Sequence, residues 1–330
     1  MKTAVVGTGS WGTALAICLY QNGHDVTMIA RSAERAEEMT RTLKNPRLPQ
    51  VDLPAGIRYT ADLEALRDCG LVVMAAPSFA VRGESQRVAP YLHPEARMVS
   101  VAKGIEPDTL LRMSQVLQTV TGRITAVLSG PSHAEEVAIG IPTGCSAACE
   151  DKQTAQLVQD VFMSPRFRVY TTPDVVGVEL AAAFKNVIAL CAGICDGVGY
   201  GDNTKAMLMT RGLYEVATLG MYMGADRGTF AGRAGVGDLI VTCPSMHSRN
   251  RRAGIFIGQG CTTQVALEKV GAVVERYYAT KSAYHLAQTM GAVMPITTAA
   301  YRVLYEGVEV HEAVEGLLTR DKRAELDKWI

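Results

Sequence analysis

Charge of one sign is the first thing this sequence lacks: its 330 residues carry 33 Lys and Arg against 33 Asp and Glu. A net charge of zero removes the electrostatic argument for nucleic acid or an anionic lipid surface as a partner, and leaves only local basic clusters to consider. There is also no run of about 20 apolar residues without a polar break, which a spanning helix needs. The longest greasy stretch, Ala181 to Cys195, contains Lys185 and Asn186, so no membrane segment is expected. The opening Met1-Lys2-Thr3-Ala4-Val5-Val6-Gly7 is too short for the core of a secretory signal, and a cytoplasmic protein is expected. The eight cysteines include no C-x-x-C pair, since Cys145 and Cys149, like Cys191 and Cys195, stand four apart. Reduced, buried thiols are the expectation. Cys243 and His247 have no second pair at zinc spacing, so no metal is expected. Internal repeats and low-complexity tracts are absent too.

What is present reads as an ordinary globular protein, 48% hydrophobic and 20% charged. It is long enough for two domains and for a core that needs no disulfide. Short β-prone runs at Thr3–Val6, Val26–Ile29, Leu71–Ala76, Met98–Val101, Ala126–Leu128 and Phe167–Tyr170 alternate with helical stretches. That alternation predicts a parallel sheet wrapped by helices. From Pro173 onward helical periods with glycine stops take over, and no strand is expected from Asp174 to Ile330. The predicted fold is an α/β Rossmann-like dinucleotide-binding domain over residues 1–171 and an all-α C-terminal domain over 172–330, joined at Thr171-Thr172-Pro173-Asp174.

Gly7-Thr8-Gly9-Ser10-Trp11-Gly12 follows the first predicted strand and opens a helix that Gly23 ends. In that context the first glycine allows a tight turn, the second lets backbone approach a pyrophosphate, and the third lets helix pack on strand. The helix N-terminus then faces the phosphates. The second strand ends in Ala30-Arg31-Ser32, without the acid that would accept from the ribose hydroxyls of NAD. A guanidinium beside a hydroxyl fits a 2′-phosphate, which makes NADP(H) the preferred coenzyme and NAD(H) the alternative. Taken alone, Arg31 also reads as a solvated surface charge.

Lys103 follows a buried strand and should emerge at the carboxyl edge of the sheet, where open α/β folds bind ligands. Gly130-Pro131-Ser132 ends the next strand and faces the same crevice, while His133 reads as a helix start. In the helical half, Lys185 and Asn186 interrupt an apolar helix. A lysine buried there needs a partner or a lowered pKa, and a lowered pKa suits proton transfer; a snorkelling surface lysine is the plainer alternative. The stretch from Gly235 through Asp238 and Thr242 to Ser248-Arg249-Asn250-Arg251-Arg252 joins an acid, hydroxyls and a basic run. Ser248, Arg249 and Asn250 at a helix start could hold a phosphate, although the arginines also read as a solvated face.

In order and spacing, Gly7–Gly12 with Trp11, Ala75–Arg82, Lys103–Glu106, Gly130–Glu135, Phe184–Val187, Gly235–Thr242, Ser248–Asn250 and Pro295–Thr297 resemble the soluble bacterial branch of the NAD(P)-dependent glycerol-3-phosphate dehydrogenase family. The resemblance runs nearly end to end. Arg276 stands where that pattern has a glycine, and Ala75-Ala76 replaces a valine-containing pair. The resemblance implies that Ser10, Trp11, Arg31, Lys103, Ala134, Arg249, Val273 and Glu275 lie against the coenzyme. It also implies that Lys103, Gly130, Ser132, Lys185, Asp238, Ser248, Arg249 and Asn250 line a phosphorylated triose. It further implies reduction of dihydroxyacetone phosphate to sn-glycerol 3-phosphate for phospholipid synthesis, and a homodimer. Within that chemistry Lys185 is the expected proton donor and Lys103 polarises the same oxygen. Asp238 orients the lysine, and Asn186 and Thr242 support it from behind. A nucleotide-sensing protein without chemistry should lack Lys185 in its apolar helix, and a 6-phosphogluconate-type enzyme fits the Ser248-Arg249-Asn250 grip less well.

Overall fold

The structure is a computed structural model that describes residues 1–271 and 275–322, with the backbone alone at 275–278. Its strands are Lys2–Val6 (β1), Asp25–Ile29 (β2), Arg58–Thr60 (β3), Leu71–Met74 (β4), Arg97–Ser100 (β5), Thr125–Ser129 (β6), Thr143–Ala148 (β7) and Phe167–Thr172 (β8). They form one sheet in the order β3-β2-β1-β4-β5-β6-β7-β8. Ser10–Gln21 (α1), Ala33–Thr42 (α2), Val81–Val88 (α3), Met113–Thr121 (α4), Ala134–Ala138 (α5) and Lys152–Phe162 (α6) connect them. Val5, Val73, Val99 and Leu128 pack on one face of the sheet, and Ala4, Val6, Val72, Met74 and Met98 on the other. Burial of both faces is why these strands read as continuous apolar runs.

All six expected strands are present, and the sheet departs from expectation in two ways. First, β7 runs antiparallel to β6 while the other pairs are parallel. A parallel return needs a crossover long enough to travel back along the sheet. Here the connection contains only the five-residue α5, which rises about 7–8 Å. The chain therefore re-enters from the edge at which it left. Second, β3 and β7 had no signal of their own. The first is a three-residue edge strand, Arg-Tyr-Thr, and the second reads Thr-Gly-Cys-Ser-Ala-Ala, almost without β-branched or aromatic residues.

Beyond the sheet come Val175–Val198 (α7), Asp202–Tyr222 (α8), Arg227–Phe230 (α9), Asp238–Thr242 (α10), Arg249–Gly258 (α11), Thr263–Lys269 (α12), Glu275–Thr289 (α13), Pro295–Tyr305 (α14) and Val310–Leu318 (α15). No strand occurs among the described residues after 172, as expected. By length and composition α7 could cross a membrane even with Lys185 and Asn186 in it, contrary to the sequence expectation. Its most apolar window, however, is 83% buried inside the fold, so its apolar surface is already covered by protein.

Two contacts fix α7 in place. A Cβ at Gly193 would lie 2.0 Å from the Arg251 carbonyl oxygen, and one at Gly254 would lie 2.1 Å from that of Leu190. With only hydrogen on these carbons, α7 and α11 touch backbone to backbone, which carries Ser248-Arg249-Asn250 to the flank of Lys185 and Asn186. At its other end Glu179 reaches the start of α4. It accepts from Arg112 Nη1 (2.6 Å), Ser114 N (2.8 Å) and Ser114 Oγ (2.6 Å), all of them buried. All eight cysteines are free; seven are buried and Cys261 is half-buried.

Candidate active site

The predicted motifs gather at the carboxyl edge of the sheet, after β1, β4, β5 and β6. Gly7 turns with φ +113°, and a Cβ there would meet the Ala75 carbonyl oxygen at 2.8 Å. A Cβ at Gly12 would sit 2.7 Å from the Gly7 carbonyl oxygen and 2.9 Å from Ala75 Cβ, so glycine at 12 lets the turn close against β4. Gly9, by contrast, faces open space. It precedes α1, whose N-terminus has no side-chain cap and no acid in its first turn. Beside Ser10, the Trp11 indole N–H is buried without an acceptor among the described residues. An open cradle, free helix amides and an orphaned donor together fit a dinucleotide pyrophosphate. Ala134 opens α5 across the crevice, and His133 takes that helix's N-cap position, its ring Nε2 3.2 Å from the Val241 carbonyl oxygen.

Arg31 lies where expected, at the end of β2, with its side chain 90% exposed. The Ser32 hydroxyl beside it accepts from Arg35 N (3.4 Å) and caps α2. Sequence reasoning missed what faces this corner: Glu84 on α3, whose Oε1 stands 3.9 Å from Arg31 Nε. No local pattern marks such a residue, because only the strand order β2-β1-β4 brings α3 beside the end of β2.

The substrate end is built around Asp238, which is fully buried. A π-helical turn, Arg233–Gly237, leads into α10 and aims it. That turn needs glycine at 235, where a Cβ would lie 1.9 Å from the Phe230 carbonyl oxygen. Lys185 Nζ donates to Asp238 Oδ1 and to Thr242 Oγ1 (3.0 Å). Lys103 Nζ donates to Asp238 Oδ2 (2.7 Å) and to the Gly130 carbonyl (3.2 Å), which also accepts from Ser132 Oγ (3.0 Å). Lys103, Gly130, Ser132, Lys185, Asp238 and Thr242 thus converge. Asn186 does not support Lys185 as expected; it accepts from Asn250 Nδ2 (2.9 Å) and so orients the phosphate-grip candidates instead. Ser248 is the N-cap of α11, accepting from Arg251 N (3.3 Å), while Arg249 is exposed in the first turn. Val273 lies outside the described residues. Glu275 opens α13, and its side chain is likewise outside them.

Two ammonium groups share one carboxylate here, and only one of the lysines yields. Burial, opposed by Asp238 and reinforced by Lys103, takes Lys185 down to about 7. Burial also works against charge on Lys103, but the Asp238 carboxylate outweighs it and holds that ammonium above its ordinary value. Asp238 likewise resists its burial, because two cations keep it ionised. A lysine able to hold or release a proton near neutrality, next to one that stays charged, can stabilise and protonate a developing oxyanion.

Residues 2–155 match the family NAD-dependent glycerol-3-phosphate dehydrogenase N-terminus, and residues 174–315 match its C-terminus. The glycerol-3-phosphate dehydrogenase (NAD(P)+) of Thermoanaerobacter sp. (strain X514) is 51% identical over 327 residues, 99% of each chain. The enzyme of the same name from Pelotomaculum thermopropionicum is 52% identical over 333 residues, covering 99% of this chain and 95% of that one. The crystal structure of glycerol-3-phosphate dehydrogenase from Coxiella burnetii superposes with a TM-score of 0.92 at 35% identity, covering 97% of this chain and 99% of the other. With its glycine turn and its lysine-carboxylate-lysine cluster at one sheet edge, and with these likenesses spanning its length, the chain belongs to the NAD-dependent glycerol-3-phosphate dehydrogenase family.

Proposed function

We propose that this chain reduces dihydroxyacetone phosphate to sn-glycerol 3-phosphate with NAD(P)H, and catalyses the reverse oxidation, supplying glycerophospholipid synthesis in the cytoplasm as a homodimer. Residues 1–171 hold the coenzyme and 172–330 the substrate. One observation carries the reading: buried Lys185 shares Asp238 with Lys103 at the crevice mouth. When bound, the nicotinamide coenzyme supplies the hydride that C2 of the ketone accepts. Gly7, Gly9, Ser10, Trp11 and Gly12 hold its pyrophosphate region, with Ala134, Val273, Glu275 and Arg249 along its length. Arg31 meets the 2′-phosphate of NADP(H), the preferred form.

As the C2 oxygen gains charge, Lys103 stabilises it and Lys185 delivers a proton to it from Nζ. Asp238 and Thr242 keep that Nζ aimed. Gly130 and Ser132 border the carbon chain, and Ser248, Arg249 and Asn250 grip the phosphate, a handle that does not react and serves to position C2. Purified protein given dihydroxyacetone phosphate and NADPH or NADH should consume the coenzyme, read by absorbance. Dihydroxyacetone without its phosphate should react far more slowly. Equal rates on 6-phosphogluconate with NADP+, or no turnover on any of these compounds, would overturn the assignment.

A further inference from the structure

The corner that Arg31 shares with Glu84 has a charge arrangement that the reaction does not use. Glu84 is well covered, its side chain only 15% exposed, and Arg87 fixes it from the same helix. The Arg87 Nε and Nη2 lie 2.9 and 2.7 Å from Glu84 Oε2. That leaves Oε1 turned toward Arg31, 3.9 Å from its Nε, with the Arg31 side chain otherwise 90% exposed to solvent. A covered acid, already paired with Arg87, therefore stands beside an exposed arginine at the end of β2, where the adenine ribose of a dinucleotide sits. An acid at that place accepts from free ribose hydroxyls, whereas a 2′-phosphate replaces one of them with charge of the same sign.

We propose that Glu84 sets the coenzyme preference of this enzyme: its carboxylate opposes the 2′-phosphate that Arg31 attracts and accepts from the free 2′-hydroxyl of NAD(H). The acid that the second strand lacks is in this way supplied by α3. The inference rests on Arg31 meeting the 2′-phosphate. Removing a carboxylate charge about 6 Å from a phosphate, in water-like surroundings, corresponds to about three- to tenfold in affinity at low salt and about two- to threefold at physiological salt.

The test is calorimetric binding of two adenine nucleotides, 2′,5′-ADP and 5′-AMP, to the intact protein, with no turnover involved. Glu84→Gln should tighten 2′,5′-ADP about three- to tenfold at low salt, with the gain shrinking to about two- to threefold at physiological salt, and should leave 5′-AMP equal or weaker. The NADPH-to-NADH ratio of kcat/KM should move the same way. Arg31→Ala, measured in parallel, separates the two readings. If Arg31→Ala weakens 2′,5′-ADP while Glu84→Gln leaves it unchanged, the proposal for Glu84 fails and the role of Arg31 stands. If neither variant changes it, both fail.

Discussion

Helix α7 carries two buried ionic sites six residues apart, and they are built on opposite principles. At Glu179 one carboxylate meets one guanidinium and two donors from Ser114, so charge and hydrogen bonds are both balanced. At Lys185 one carboxylate serves two ammonium groups, and the burial that Glu179 tolerates is resolved instead by lowering the pKa of a lysine. A balanced buried pair holds the start of α4 to α7 and gains nothing from a ligand. The unbalanced one keeps a positive excess that an oxyanion can complete. Both join α7 to the carboxyl side of the sheet, so the same helix is anchored by one site and made reactive by the other.

The largest break in this comparison should come from Lys185→Ala. Turnover should fall about 10²–10⁴-fold, while coenzyme binding followed by tryptophan fluorescence stays close to normal and stability does not drop, since Asp238 keeps Lys103. A variant with near-normal kcat would remove Lys185 from the chemistry. Glu179→Gln is the mirror image. It strands a buried guanidinium and should cost about 3–5 kcal/mol in urea denaturation, with turnover per folded molecule little changed; full stability would show that the pair is not the anchor described. Arg249→Ala should raise KM for the phosphorylated ketone about tenfold or more while kcat changes less, because the phosphate contact is the same in ground and transition states.

The smallest effect sharpens the contrast through pH. Reduction needs Lys185 protonated, so kcat/KM in that direction should be flat at low pH and fall as pH rises through about 7. Oxidation needs the neutral amine and should rise through the same range. Glu179→Gln should leave both profiles in place, and a profile that moved with Glu179 would collapse the distinction between the two sites.

Much of this was legible in the residues. The glycine turn, six of the eight strands and the helical half follow from local patterns, and Lys185 stood out because an ammonium inside an apolar helix demands a reason. Asp238 was legible as a candidate, although that it would serve both lysines was not. The Glu179–Arg112 anchor, the partnership of Asn186 with Asn250, and Glu84 beside Arg31 were not legible, since each joins residues far apart in sequence through packing that no local period encodes. The strand β7 was missed altogether, since Thr-Gly-Cys-Ser-Ala-Ala has almost no β-branched or aromatic residue, and its direction depended on the length of a connection that no strand pattern reports.

The glycine contact between α7 and α11 has one more consequence. It makes the proposed proton donor and the proposed phosphate grip parts of a single piece, with no side chain between the two backbones to reshuffle. Such a piece measures length. A phosphorylated substrate one carbon longer between its ketone and its phosphate would have to separate two helices already in contact through Gly193 and Gly254. On the proposed roles, selection of a three-carbon chain is a matter of spacing, set some two turns of helix away from Lys185.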